Sequence, residues 1–165
     1  MPQIYLYDRQ KAVAYAHDWA YRRNPKYHDF QNLGGDCTNF AYQCIHAGAA
    51  VMHYSPHPDW YYRSARDRSP SWTGVEFLHE FLVNNDGVGP FAVETDIDRA
   101  EPGDIIQLRF SGQIFQHSPV VIQTGETPSV HNILIAAHTY DTDYRPLDTY
   151  DFEAVRCLHI MGVRK

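Results

Sequence analysis

At 165 residues, with 44% hydrophobic side chains, a mean hydropathy of −0.48 and a net charge of −6, the chain can bury one core without disulfides or structural metal. The acidic balance leaves no basic stripe to neutralise phosphates, which excludes nucleic acid as the expected partner. No run approaches the ~18 apolar residues of a membrane span.

In chain order, Asp8 caps a first helix expected to run to about Arg22, with Ala12, Val13, Ala16 and Trp19 on its apolar stripe and Asn24-Pro25 closing it. An irregular aromatic stretch from Lys26 to Leu33 leads to Gly34-Gly35-Asp36-Cys37-Thr38-Asn39-Phe40. The two glycines permit a tight turn, and apolar residues at Phe40, Ala41, Cys44 and Ile45 then take up a helical spacing that closes at Gly48. Cys37 therefore falls in the first turn of a second helix, with Asp36 or Thr38 near its cap. A helix N-terminus carries about half a positive charge, which favours a thiolate. Cys37 reads as a nucleophile, whereas Cys44 and Cys157 read as small core hydrophobes. Cys37 and Cys44 share a helix face but sit about 10 Å apart by helical rise, too far to bridge.

A long stretch from Gly48 to Ser71 follows, rich in Tyr54, Pro56, His57, Pro58, Trp60, Tyr61 and Tyr62. Its prolines exclude a regular amphipathic element, and its aromatics suggest a rim packed over the site. Arg63, Arg66 and Arg68 read as a solvated loop. Thr73-Gly74-Val75-Glu76 has the capping-box pattern and should open a third helix with Val75, Leu78, Phe81 and Leu82 inward.

From Asn84 onward the period changes to two. Strands are expected at Phe91–Glu94, Ile105–Phe110, Ile114–Ile122, Asn132–Thr139 and Ala154–Met161, joined by turns and by a polar link from Asp141 to Asp151. Helices first and an antiparallel meander afterwards predict an α+β domain of 1–165 with N-terminal helices packed on an antiparallel sheet. If the strands holding His117 and His138 pair through the Thr124–Ser129 turn, both histidines lie at one end of the sheet. A thiol nucleophile needs an imidazole to take its proton and a third polar group to orient that imidazole. Gln31, Asn32 and Asp36, just upstream of the cysteine, are oxyanion or substrate-binding candidates, and Trp60 is a substrate-binding candidate. His53, His57, His131 and His159 read as structural or exposed. Without C-x-x-C or H-E-x-x-H spacing, no metal and no cofactor are expected.

These motifs together (Gly-Gly-Asp-Cys-Thr-Asn-Phe, Pro-Gly-Asp before a strand, His117-Ser118 at a strand start and Ala137-His138-Thr139 on the next) resemble a bacterial putative amidase domain family. That family is grouped with the NlpC-like and CHAP-like cysteine peptidases of the papain-like superfamily, and the likeness covers nearly the whole chain. The resemblance implies a papain-like fold and a cysteine-dependent amidase with Cys37 as nucleophile, His117 as base and His138 as orienting group. Asp141 or Asn132 are substitutes for that third role. It also implies a peptide or amide substrate such as a cell-wall peptide. Acyl transfer at the same site, or a non-catalytic binding module, are the alternatives. A monomer is expected. The start Met1-Pro2-Gln3-Ile4-Tyr5 lacks a signal-peptide pattern, so the chain as written reads as cytoplasmic, with cell-wall action requiring export by another route or a leader since removed.

Overall fold

Asp8 caps the first helix as expected, its Oδ1 accepting the Lys11 N–H at 3.0 Å in the computed structural model, which describes residues 1–54 and 59–165. This helix, α1 (Arg9–Trp19), ends about a turn before the expected Arg22, with Ala12 and Ala16 fully buried. α2 (Cys37–Ala49) is buried along its length except at His46 and Ala47. A helix buried on every side sits at the centre of its fold, and its polar residues must then find partners. Asn39 donates to His28 O and accepts the Trp72 indole N–H at 2.6 Å, and Gln43 accepts the Tyr15 hydroxyl.

Gly48 does not terminate α2. It lies inside the last turn, where a Cβ would press into the Tyr7 ring and stand 2.7 Å from Asp8 O. The helix stops at Ala50, which adopts the left-handed conformation (φ 54°) and bonds back to His46 O. α3 (Val75–Asn84) buries Leu78, Phe81 and Leu82 as anticipated, but no capping box forms. Gly74 is its N-cap, and the Glu76 carboxylate instead accepts the Phe115 N–H and pairs with Arg156.

The strands are β1 (Ile4–Tyr5), β2 (Tyr62–Ser64), β3 (Asp67–Arg68), β4 (Gly89–Thr95), β5 (Ile105–Arg109), β6 (Val120–Gln123), β7 (Leu134–Ala137), β8 (Thr142–Pro146) and β9 (Ala154–Arg164). Every pairing among the described residues is antiparallel, so the architecture is α+β. The order is not a plain meander, however. β9 is the spine, with β4 along one side and β5 followed by β1 along the other; β6, β7 and β8 continue outward from β5.

The sheet is buried on both faces. Ile105, Val120, Ala136 and Leu158 face the helices, while their neighbours Ile106, Val121, Ile135 and Cys157 pack on the far face. That far face is closed by Leu147, Tyr150, Phe152 and the loop carrying Ala100.

The segment after α2 departs from the expected rim. A bridge pairs His53 with Trp60, and β2 and β3 form a small hairpin where a solvated loop was expected. Trp60 is fully buried, stacked on Tyr42 and on Phe81 (centroids 4.9 Å apart), because an aromatic this large gains more from the core than from a rim. It is therefore not available to hold a substrate. Pro56, His57 and Pro58 lie outside the described residues. Among the described residues no helix is long and apolar enough to cross a membrane.

Candidate active site

The approach to Cys37 is held from inside by a carboxylate. Gly34 and Gly35 adopt φ values of 99° and 105°, which L side chains rarely reach, and turn the chain into α2. Asp36 follows with no exposed surface. It does not cap the helix by its side chain; its Oδ1 accepts the Phe30 N–H and the Asn39 amide, both at 2.8 Å. Its Oδ2 meets His138 Nδ1 at 2.5 Å and lies 3.4 Å from Arg23 Nε. The Asp36 N–H donates to Thr139 Oγ1, which ties this loop to the end of β7. Asp36 thus shapes the loop and does not face the cleft.

Cys37 is 8% exposed and lines a cleft of about 370 Å³ together with Gln116, His117, Thr139, Arg145 and Tyr150. A larger hollow of about 520 Å³ between α3 and Pro70–Ser71 contains neither Cys37 nor a histidine among its described lining residues, so the candidate pair lies in the smaller one. Burial pushes the Cys37 thiol up, a rise opposed by hydrogen bonding from Ser118 and Thr38. The positive helix end was expected to favour a thiolate; burial outweighs it, and the resting sulfur is a thiol.

His117 is 6% exposed, and its backbone is bridged to Leu108 at the end of the sheet. Burial first, and then the nearby Arg145 guanidinium, lower its imidazole to about 4, so the ring is neutral at pH 7. Its side-chain hydrogen bond among the described residues runs from Nε2 to the Tyr150 hydroxyl at 3.3 Å. That leaves Nδ1 for another partner.

His138 is not the group beside His117. The strands do pair as expected, Val120 opposite Ala136 and Val121 opposite Ile135, which brings both histidines to one end of the sheet. Continuing that register puts Ser118 opposite His138, and neighbouring residues on a strand point to opposite faces. His138 accordingly turns toward the helices, stacked on Phe40, with Nδ1 on Asp36 and Nε2 on the Trp19 carbonyl at 2.8 Å. Both ring nitrogens are thus engaged by oxygens within the fold, Asp36 Oδ2 and Trp19 O, so His138 has no nitrogen turned toward His117.

The remaining candidates also lie apart from the cleft. Asp141 forms a two-pronged pair with Arg23 (2.8 and 3.0 Å), which also reaches Gln31 at 3.3 Å. Asn132 closes the β6–β7 turn through Ser129 N–H and Thr127 O. Asn32 is exposed on the loop before the glycines. In their place the cleft contains Gln116, Tyr150 and Arg145. Gln116 had a sequence signal, being adjacent to His117; Tyr150 and Arg145 had none, since they sit in what reads as a polar link. The Gln116 side-chain oxygen accepts the Phe110 and Ser111 N–H groups, which fixes the amide and leaves its Nε2 without a protein acceptor among the described residues.

Three comparisons bear on this site. The chain is 35% identical over 149 residues to the uncharacterized protein YhbB of Bacillus subtilis (strain 168), an alignment covering 87% of this chain and 45% of that protein. It thus spans about half the length of that curated relative, and no solved structure matches it. Residues 6–161, which include every element from α1 to most of β9 and every residue of the cleft, match the family described as putative amidase domain, a description that suggests amide hydrolysis. The chain belongs to the putative amidase domain family.

Proposed function

We propose that the protein is a cysteine-dependent amide hydrolase related to the NlpC-like and CHAP-like enzymes of the papain-like superfamily. The observation that carries this reading is the meeting of a helix-N-terminal cysteine and a buried neutral histidine in one cleft. With the Tyr150 hydroxyl accepting from Nε2–H, the imidazole keeps Nδ1 unprotonated, the tautomer that a base toward the thiol requires. As the Cys37 sulfur attacks the amide carbonyl, His117 takes the thiol proton. The oxyanion is met by the Cys37 backbone N–H at the start of α2 and by the Gln116 amide. His117 then gives its proton to the departing amine, leaving a thioester, and next activates the water that releases the acid and restores the thiol.

A neutral thiol and neutral imidazole at rest make this a general-base attack, with no standing thiolate–imidazolium pair. A cell-wall peptide is the substrate class that the wider superfamily suggests. The test is turnover on a panel of cell-wall peptide fragments, wild type against Cys37→Ala. Loss of turnover in the variant with far-UV circular dichroism unchanged supports the reading; retained turnover overturns it. Adding amines to the same assay separates water from an amine as the acyl acceptor.

A further inference from the structure

Arg145, on β8, is the charged cleft residue that the hydrolytic scheme leaves unused. Its Nε donates to Thr149 Oγ1 at 2.8 Å and its Nη2 to Thr149 O at 3.3 Å, while its guanidinium carbon stacks 3.5 Å from the Tyr150 ring centre. The head is therefore fixed, yet all its protein acceptors are neutral. Arg23 is neutralised by Asp29, Asp36 and Asp141, Arg9 by Asp104 and Glu101, and Arg156 by Glu76, whereas Arg22, Arg68 and Arg164, like Arg145, have no ion pair among the described residues but lie away from the cleft. Among the described residues Arg145 has no ion pair, and its Nη1 has no protein acceptor. Among the residues that line the cleft it is the one that carries a full charge. In a chain of net charge −6, an unopposed cation at the mouth of the nucleophile's cleft is a local reversal of field, and its charge reaches the His117 ring.

We propose that Arg145 selects substrates bearing a carboxylate close to the scissile amide. The inference rests on Cys37 being the nucleophile. A cleft of about 370 Å³ is only about 7 Å across if compact, and an extended chain advances about 3.5 Å per residue. The selected carboxylate therefore lies within about two residues of the bond that breaks, as an acidic side chain or a free chain terminus. Guanidinium suits this role because its planar fork offers paired donors to the two oxygens of a carboxylate.

The experiment compares iodoacetate with iodoacetamide, which deliver the same displacement of iodide by sulfur with and without a carboxylate. Alkylation of Cys37 is followed by mass spectrometry after proteolysis in wild type, Arg145→Gln and Arg145→Lys, with glutathione as the unselective thiol. The ratio of the two rates cancels any change in sulfur reactivity that a variant introduces. In wild type at low salt, the iodoacetate-to-iodoacetamide ratio at Cys37 should exceed the glutathione ratio about tenfold. It should fall toward that of glutathione in Arg145→Gln, survive in part in Arg145→Lys, and shrink in high salt. Equal ratios in wild type and Arg145→Gln overturn the role of Arg145 while leaving the nucleophile intact. If iodoacetamide modifies Cys37 no faster than the fully buried Cys44 and Cys157, the nucleophile reading itself fails, and the selectivity with it.

Discussion

A histidine held neutral by burial should make the protein sensitive to mild acid in a way that one substitution removes. Above pH 6.5 the His117 imidazole is unprotonated both in the folded and in the unfolded chain. As pH falls from 6.5 toward about 4, the unfolded chain binds a proton that the folded site resists, so stability is lost through that window. The interval corresponds to about 2 kcal/mol by pH 5 and about 3 kcal/mol by pH 4, a large share of the ~5–15 kcal/mol that holds a domain together. His117→Asn takes the titration away while keeping a polar side chain. Urea unfolding of both proteins at pH 7, 5 and 4 measures the difference, because carboxylates common to both chains largely cancel. Wild type should lose about 3 kcal/mol more than the variant. Parallel profiles, or a His117 ring that titrates near 6.5 by NMR, would refute the argument.

The other expectations concern the groups around the cleft. Tyr150→Phe removes the hydroxyl that orients His117 and should lower kcat about 10- to 100-fold with KM nearly unchanged; a wild-type kcat would show that the 3.3 Å contact does not set the tautomer. Asp36→Ala removes the acceptor of His138 Nδ1 and of the buried Phe30 N–H, and one partner each of the Asn39 amide and Arg23, and should cost about 3–5 kcal/mol, read by chemical denaturation; a loss under about 1 kcal/mol would remove the carboxylate from its place as the anchor of the loop. Gly48→Ala drives a methyl against Tyr7 and Asp8 O and should cost about 2 kcal/mol, seen as a fall in Tm of about 6 °C, whereas a helix-stabilising effect would mean that α1 and α2 can separate at little cost. Ultraviolet thiolate absorbance, wild type minus Cys37→Ala, should appear only above about pH 9, since burial raises the thiol; a step at neutral pH would restore the ion-pair scheme.

What could be read from the residues, and what could not, divides along the reach of each interaction. α1, α2 and α3 are legible because an apolar stripe is a local pattern, and β5 because Ile105, Ile106 and Leu108 are apolar and buried on both faces. β8 was hidden inside the polar link: at the edge of the sheet, Thr142–Pro146 needs no apolar run to hold its place. Pairing of β9 with β4, β5 and β1 is fixed by partners dozens of residues apart, which no window along the chain contains. The site divides the same way. Cys37 and His117 carry local signals, a glycine turn before a helix and a histidine in an apolar run. The misassignment of His138 was a matter of parity, a single residue of register exchanging one face of the sheet for the other. Tyr150 reaches His117 across the sheet from a loop of ordinary composition, and only coordinates reveal such a meeting.

The position of β9 also determines when this molecule can exist at all. The last strand in chain order is the one between β4 and β5, so a ribosome-bound chain that has released everything up to Glu153 holds two rows of open backbone groups with nothing between them. Assembly of the sheet is therefore a late, concerted event with high contact order, and slow accordingly. Until it happens Cys37 has a helix to stand on but no settled wall opposite, so the nascent chain lacks the cleft in which the proposed nucleophile would work.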